Sequence, residues 1–336
     1  MKYEELMMAG ATKLAKAMTE AQTIRQKNFG KRIFFYAPSF TYYKTEYYCS
    51  SPAAFPSISI TGSSCSLKCK HCNGIVLNTM YPARSPERLV ELCRDLRKKG
   101  AVGVLISGGC SPDGSMPFEK FLDAMVEIKH DLKLSLMVHT GLVSGNLAER
   151  LKEVGIDAAL IDIVGSEETI REIYNLKVTI ADYERSLQAL FDVGIPTVPH
   201  VLAGLHYGKL KGEFQALNMI ANYNPSAVII IVFMPIRGTA MEKVEPPDSL
   251  TVGKLIVTAR FLMQSTPLVL GCMRPKGMHR AETDVLAIKA GVNAIAFPSE
   301  KAIQIAESLG YEISFSPSCC AQIFNDLRTG KFNEGT

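Results

Sequence analysis

Short apolar runs alternate along the chain with amphipathic stretches. The runs are continuous rather than alternating, which is typical of parallel strands buried on both faces. Each is short enough to be one strand, and the most apolar, AVIIIVFM at 227–234, has only eight residues. This pattern predicts eight strands, which lie within residues 55–61, 101–109, 132–141, 157–165, 196–204, 226–235, 267–275 and 292–299.

The amphipathic stretches between these runs have helical periodicity. In the stretch 85–100, for example, Leu89, Leu92, Cys93 and Leu96 fall on one face. Most of the stretches begin with Ser, Pro, Asp or Asn, and several end at a glycine, as helices commonly do.

Eight strand–helix units predict an α/β fold, a (β/α)8 TIM-type barrel over residues 55–310. Residues 1–54 are expected to form an N-terminal helix and an aromatic lead-in, and residues 311–336 a C-terminal extension. Catalytic residues of such barrels lie at the carboxyl ends of the strands and in the loops that follow.

Composition and charge narrow the function. The 336 residues include 37 basic and 33 acidic side chains, a net charge of +4 that is too mild and too evenly spread to predict nucleic-acid binding. No apolar run is long enough to span a membrane. Nine cysteines without a secretion signal predict a cytoplasmic protein whose cysteines bind metal or take part in chemistry.

The strongest chemical signal is TGSSCSLKCKHCNG, which follows the first predicted strand. Cys65, Cys69 and Cys72 have the spacing C-x3-C-x2-C. Three thiolates in one loop fit three corners of a 4Fe–4S cluster and leave the fourth iron open. The alternative is a zinc site with His71 or Cys49 as the fourth ligand, although zinc usually selects paired C-x2-C spacings.

This motif, placed after the first strand of a barrel, resembles that of the radical S-adenosylmethionine (SAM) superfamily. The family often has an aromatic residue before the third cysteine, where this chain has His71. The resemblance implies that the open iron binds SAM. It also implies that one electron cleaves SAM to a 5′-deoxyadenosyl radical, which abstracts hydrogen from an unactivated carbon.

The resemblance also implies SAM-binding residues. Ser107-Gly108-Gly109 stands where the family has a Gly-Gly turn before an acidic residue, but Cys110 replaces that acid. Asp162 ends the fourth predicted strand, where related enzymes place a polar contact to the SAM ribose. Lys177 is a weaker candidate for the SAM carboxylate, with an exposed surface lysine as the alternative.

Among radical SAM enzymes the chain most resembles the biotin synthase branch, whose full barrels hold a second iron–sulfur cluster. That resemblance implies an auxiliary cluster bound by some of Cys110, Cys272, Cys319 and Cys320. The alternative is that these four are unrelated buried thiols.

Two function classes are therefore expected. The first is sulfur insertion of the biotin or lipoyl synthase kind, including one component of the archaeal-type two-protein lipoyl synthase. Its expected partners are a ferredoxin or flavodoxin as electron donor, a second radical SAM subunit and an acidic lipoyl carrier protein. The second is a mutase, lyase or cyclase of the same branch, such as methylornithine synthase or a hydrogenase maturase. A non-catalytic iron–sulfur protein is the distant alternative.

Four further side chains are substrate candidates. His139 and His200 lie at the ends of the third and fifth predicted strands, where they face the interior of a barrel. Arg274 and Arg280 follow the seventh strand and are suited to a carboxylate or phosphate, because arginine binds such groups bidentately.

Overall fold

A computed structural model describes residues 3–329 of the chain. Among these residues, eleven strands form one parallel sheet. The strands are β1 (Arg32–Tyr36), β2 (Ser57–Ser59), β3 (Tyr81–Pro82), β4 (Gly103–Ser107), β5 (Ser135–His139), β6 (Ala158–Asp162), β7 (Thr197–Ala203), β8 (Val228–Val232), β9 (Leu268–Leu270), β10 (Ala294–Ala296) and β11 (Glu312–Ser316).

Helices connect the strands. They are α1 (Tyr3–Met7), α2 (Ala11–Phe29), α3 (Pro86–Lys98), α4 (Leu122–His130), α5 (Gly145–Val154), α6 (Glu167–Glu172), α7 (Ile180–Asp192), α8 (Glu213–Ala221), α9 (Ser249–Leu262), α10 (Met278–Lys289), α11 (Glu300–Ser308) and α12 (Ile323–Thr329). None of these helices is both long and apolar enough to cross a lipid bilayer.

The predicted α/β fold with a TIM-type barrel is confirmed. All eight predicted strands are present, and they neighbour one another in chain order as β2 and β4 to β10. The sheet extends this series, because β1 and β11 follow β10 at one edge and β3 flanks β2 at the other. The predicted division at residues 54/55 and 310/311 stays a prediction, and β1 and β11 from the two flanking segments lie in the same sheet.

The pleat of the curled sheet sorts apolar side chains into two cores. Along β8, Val228, Ile230 and Val232 belong to an outer core between sheet and helices, whereas Ile229 and Ile231 point into the barrel lumen. We call the inner group the luminal core. Its buried members are Phe34, Tyr36, Ala37, Phe55, Met137, Ala158, Leu160, Val198, Ala227, Ile229, Ile231, Val269, Ala294, Ala296, Phe297, Cys319, Cys320, Ala321 and Ile323.

The C-terminal extension completes the luminal core. After β11 the chain turns back, and Cys319, Cys320 and Ile323 pack against strand residues inside the barrel. The hydroxyl of Tyr36 on β1 donates a hydrogen bond of 2.6 Å to Asp326. Residues 317–323 are therefore part of the barrel interior rather than an appended tail, whereas Arg328 and Thr329 at the end of α12 are exposed. Residues 330–336 of the predicted extension lie outside the described residues.

Shortening a luminal side chain of this segment should destabilise the whole barrel. Ile323 is fully buried, so Ile323→Ala leaves a cavity and is expected to lower the free energy of unfolding by about 2–5 kcal/mol in urea. Leu309→Ala is the control, because Leu309 is 41% exposed. Equal stability of the two variants would show that residues 317–323 do not pack in the lumen.

Candidate active site

The loop with the cysteine triplet is held by backbone bonds to two neighbouring segments. The Ser66 amide donates to the Cys110 carbonyl (2.9 Å), and the Lys70 amide donates to the Ile173 carbonyl (2.8 Å). The side-chain amide of Asn175 donates to the Leu67 carbonyl at 3.1 Å. The loop therefore lies between the end of β4 and the segment after α6, at the carboxyl edge of the sheet.

Gly109 allows this close approach. A Cβ at this position would lie 2.0 Å from the Ser64 carbonyl oxygen and 2.6 Å from the Cys65 Cα, so any larger residue would displace the loop. The Gly109 amide donates to the Thr61 hydroxyl at 2.7 Å. The predicted Gly-Gly turn thus has an observed role, which is to bring the β4 end against the first cysteine.

Two thiols of the triplet, those of Cys69 and Cys72, lie close to each other and to His71. One ligand atom each from Cys69, His71 and Cys72 lies within 4.8 Å of the others. A hydrogen bond from the Cys69 thiol, helped by His71 against the opposing effect of burial, lowers the pKa of Cys72 to about 4. The same hydrogen bond and burial raise the pKa of Cys69, so Cys72 is the thiolate of the pair. The Nδ1 atom of His71 is buried without a hydrogen-bond partner among the described residues. A loop that stabilises thiolate suits an iron–sulfur cluster, because thiolate is the cluster-binding form.

The inner carboxyl edge of the sheet carries three polar side chains. His139, Asp162 and His200 share the inward parity of Met137, Leu160 and Val198 on their strands. Asp162 and His200 are register partners across β6 and β7. The Nε2 atom of His139 lies 3.5 Å from Oδ1 of Asp162.

Burial and mutual charge set the protonation of this group. Burial alone raises the pKa of Asp162, but the positive charge of the adjacent His139 outweighs it and lowers the pKa to about 2. Burial lowers the pKa of His200 to about 4, so its imidazole is neutral at pH 7. For His139 burial is outweighed by the Asp162 carboxylate, and its pKa is raised.

A cavity of about 470 Å³ joins the triplet loop to this group. Leu67 of the loop, the predicted SAM residues Ser107, Gly108 and Asp162, and His139 all line it. Gly109 is buried and is not among the cavity residues. The polar groups that the sequence assigned to SAM therefore border one space, as one ligand requires. Lys177 is exposed, in the connection between α6 and α7, and is not among the cavity residues.

The four cysteines of the predicted auxiliary cluster fall into two places. Cys110 packs beside Cys65 and Cys72, next to the triplet. Cys319 and Cys320 are instead buried members of the luminal core, and the half-buried Cys272 packs against that core. Three of the predicted four therefore border the luminal core, and Cys110 lies apart from them.

Arg274 has a structural role in place of the predicted substrate contact. Its side chain is fully buried, and Nε donates to Asp284 at 2.8 Å. The other guanidinium nitrogens donate to the carbonyls of Gly271, Ala296 and Phe297. Arg280 is half-buried and donates to the Arg274 carbonyl at 3.2 Å, and its substrate role stays a prediction.

Sequence reasoning missed two tyrosines and a glycine-rich turn. Tyr174 and Tyr183 line the cavity, but they come from a connection and from α7, where no motif marks them. A second cavity of about 310 Å³ lies beyond Asp162, against Gly212 and Glu213. The spacing of Gly204, Gly208 and Gly212 in GLHYGKLKGE was an available signal for that turn.

Comparisons with known proteins agree with this geometry. Residues 59–210, which contain the triplet, the Gly-Gly turn, Asp162 and His200, match the model of the radical SAM superfamily. Biotin synthase of Prochlorococcus marinus is 25% identical over 248 residues, which are 71% of this chain and 73% of that protein.

Two solved structures have similar folds. Methylornithine synthase has a TM-score of 0.67 and 16% identity, covering 97% of this chain and 95% of that one. The FeFe-hydrogenase maturase HydG of Carboxydothermus hydrogenoformans has a TM-score of 0.65 and 15% identity, covering 97% of this chain and 79% of that one. At these identities the likeness shows the fold alone.

Replacing Gly109 with alanine should displace the triplet loop. Gly109→Ala is expected to lose most of the iron held by that loop, about four atoms per chain, measured after anaerobic reconstitution. Gly145→Ala is the matched control, because an added Cβ at Gly145 meets no atom within 4 Å. Full iron binding by Gly109→Ala would contradict the proposed close approach.

Removing the Arg274 guanidinium should leave a buried carboxylate unpaired. Arg274→Ala is expected to destabilise the fold by about 3–5 kcal/mol in urea unfolding. Arg185→Ala, which removes an exposed partner of Asp182, should change stability little. A stable Arg274→Ala protein with a raised substrate KM would instead restore the predicted substrate contact.

Proposed function

From the premise that this chain is a radical SAM enzyme of the biotin synthase-like branch, we propose that it inserts sulfur at an unactivated carbon of its substrate. The observation that carries this proposal is the grouping of Cys272, Cys319 and Cys320 at the luminal core. Sulfur insertion needs a sulfur source inside the barrel, within reach of the carbon that loses hydrogen.

The residues of the first site fit the cofactors of the superfamily. Cys65, Cys69 and Cys72 would hold a 4Fe–4S cluster, and Ser107, Gly108 and Asp162 would line the SAM site. When bound, this pair of cofactors supplies a 5′-deoxyadenosyl radical. The protein's own contribution is to fix the triplet loop through Gly109 and to present Asp162 as a carboxylate.

The luminal thiols are proposed to bind a second iron–sulfur cluster. All three border the luminal core, which the segment after β11 covers. Burial raises the pKa of Cys272 to about 11, whereas a hydrogen bond from Cys320 lowers the pKa of Cys319. Burial disfavours the free thiolate of Cys272, and the positive charge of cluster iron would offset that penalty by binding the luminal cysteines as thiolates. Cys110, beside the triplet, is left out of this ligand set.

The substrate class we favour is an octanoyl-lysine on an acidic lipoyl carrier protein, as in the archaeal-type two-protein lipoyl synthase. A net charge of +4 suits an acidic partner. A second radical SAM subunit and a ferredoxin or flavodoxin complete the proposal, with His139, His200 and Arg280 as substrate contacts. We also propose that the protein works in the cytoplasm, where its nine cysteines stay reduced.

A second candidate function is a radical rearrangement without sulfur insertion. The fold likeness to methylornithine synthase and to a hydrogenase maturase favours it. In that case Cys272, Cys319 and Cys320 would be buried thiols without metal. A non-catalytic iron–sulfur protein is a third and more distant candidate, and it would show no SAM binding in calorimetry.

Iron and sulfide analysis with Mössbauer spectra separates the candidates. The native chain is expected to hold two clusters after anaerobic reconstitution, roughly eight iron atoms if both are 4Fe–4S. Replacing Cys65, Cys69 and Cys72 by alanine should remove one cluster and abolish 5′-deoxyadenosine production. Replacing Cys272, Cys319 and Cys320 by serine should remove the other and leave SAM cleavage intact.

The control is Cys49→Ala, because Cys49 is exposed and outside both groups. Unchanged iron in the luminal variant would end the sulfur-insertion proposal and favour rearrangement. Continued 5′-deoxyadenosine production without the triplet would contradict the radical SAM assignment itself. Sulfur insertion is then read directly, as a mass gain of an octanoylated carrier domain incubated with SAM and a reductant.

A further inference from the structure

Two imidazoles and a carboxylate meet at the inner carboxyl edge of the sheet. One ligand atom each from His139, Asp162 and His200 lies within 4.8 Å of the others. They come from three consecutive strands, β5, β6 and β7, so rigid elements hold them in place. We propose that these three side chains bind one divalent first-row metal ion, such as Zn²⁺ or Fe²⁺, distinct from any cluster bound by the cysteines.

The separation of His139 and Asp162 suits two ligands of one ion. Their Nε2 and Oδ1 atoms are 3.5 Å apart, beyond the roughly 2.7–3.2 Å of a good N–H···O hydrogen bond. A tetrahedral ion with bonds of about 2.1 Å holds its ligand atoms about 3.4 Å apart. The observed distance therefore matches shared coordination better than direct bonding.

The carboxylate also has an unused acceptor. Oδ1 of Asp162 is buried and has no hydrogen-bond partner among the described residues. Buried polar atoms nearly always have a partner, and an orphaned one requires an explanation, such as an absent ion. A metal bound between Asp162 and the two histidines would satisfy this oxygen and leave Oδ2 of the same carboxylate for the SAM site.

His200 is oriented as a metal ligand. The side chain is nine-tenths buried, and its Nδ1 lies 3.0 Å from the Val198 carbonyl oxygen. A proton on Nδ1 donated to that carbonyl leaves the Nε2 lone pair free to bind a metal. Metal-binding histidines commonly donate their other ring N–H in this way, which fixes the tautomer and the ring orientation.

The donor set indicates the kind of ion. Two imidazoles and one carboxylate suit zinc or ferrous iron and leave coordination positions open. His139 and Asp162 line the 470 Å³ cavity, so an anionic oxygen or sulfur group of a substrate there would complete the coordination. The inference does not rest on sulfur insertion, because none of the luminal thiols is among the ligands.

Another potential metal group serves as the control. Glu168, Glu172 and His206 also have ligand atoms within 4.8 Å of one another. The ammonium of Lys211 bonds to Glu168, which supplies the positive charge that a metal would otherwise bring. His206→Ala is therefore expected to leave metal binding unchanged.

The test measures zinc binding by the full chain in which Cys65, Cys69 and Cys72 are alanine and Cys272, Cys319 and Cys320 are serine, so that neither group of thiols competes for zinc. Zinc is titrated after chelator treatment, the bound metal is counted, and X-ray absorption identifies its neighbours. We expect one tight zinc with nitrogen and oxygen neighbours at about 2.0–2.2 Å and no sulfur at about 2.3 Å. His139→Ala, Asp162→Asn and His200→Ala should each weaken it by more than about a hundredfold, since outer partners alone are worth 10–100-fold.

Circular dichroism and thermal unfolding show which variants fold, and the near-isosteric Asp162→Asn keeps the test valid if a histidine variant does not. Sulfur neighbours in this cysteine-substituted chain, equal loss in His206→Ala, full affinity in Asp162→Asn or no bound zinc would each overturn the proposal. The zinc titration measures neither SAM cleavage nor iron content. Its failure would therefore leave the sulfur-insertion proposal untouched.

Discussion

The two-residue repeat of the parallel strands is the constraint on which the site depends. Because successive side chains point to opposite faces, each strand gives one set of residues to the helices and the other to the lumen. Inward residues such as Met137 and Leu160 are apolar in the middle of the strands, whereas His139 and Asp162 are polar at their carboxyl ends. The same pleat thus buries a core and concentrates the titratable groups at one edge of it.

A second constraint is the close contact between two backbones at Gly109. The triplet loop follows β2. Strand β4, which pairs with β2, ends at Ser107, two residues before the contact at Gly109. The absence of a side chain at Gly109 lets Ser64 and Cys65 come against the β4 end. The positions of the cluster thiols relative to Asp162 and His139 therefore follow from the sheet itself.

Much of this arrangement was predictable from local sequence. Continuous apolar runs identified the eight barrel strands, and the spacing of Cys65, Cys69 and Cys72 identified the first site. β1 was missed although Ile33–Tyr36 is equally apolar, because no strand–helix unit follows it and it was assigned to the lead-in. β11 was missed because it pairs only with β1 and is partly exposed, so its pattern is weak.

What sequence did not predict depends on contacts between distant segments. The sequence around Arg274 does not reveal that Asp284 and three carbonyls enclose its guanidinium. This enclosure forms only when β10 and α10 pack around the side chain. The same holds for the separation of Cys110 from Cys272, Cys319 and Cys320. Distance along the sequence does not reveal which thiols border the luminal core, because Cys319 and Cys320 reach it only through the return of the C-terminal segment into the lumen.

That return also determines the order in which the molecule can be assembled. A ribosome releases the triplet loop and every barrel strand before it releases Cys319 and Cys320, since these follow β11. The first site can therefore form while the lumen still lacks its last wall. Any metal held by the luminal thiols would be loaded after that wall arrives, whereas the triplet loop is available for loading before it.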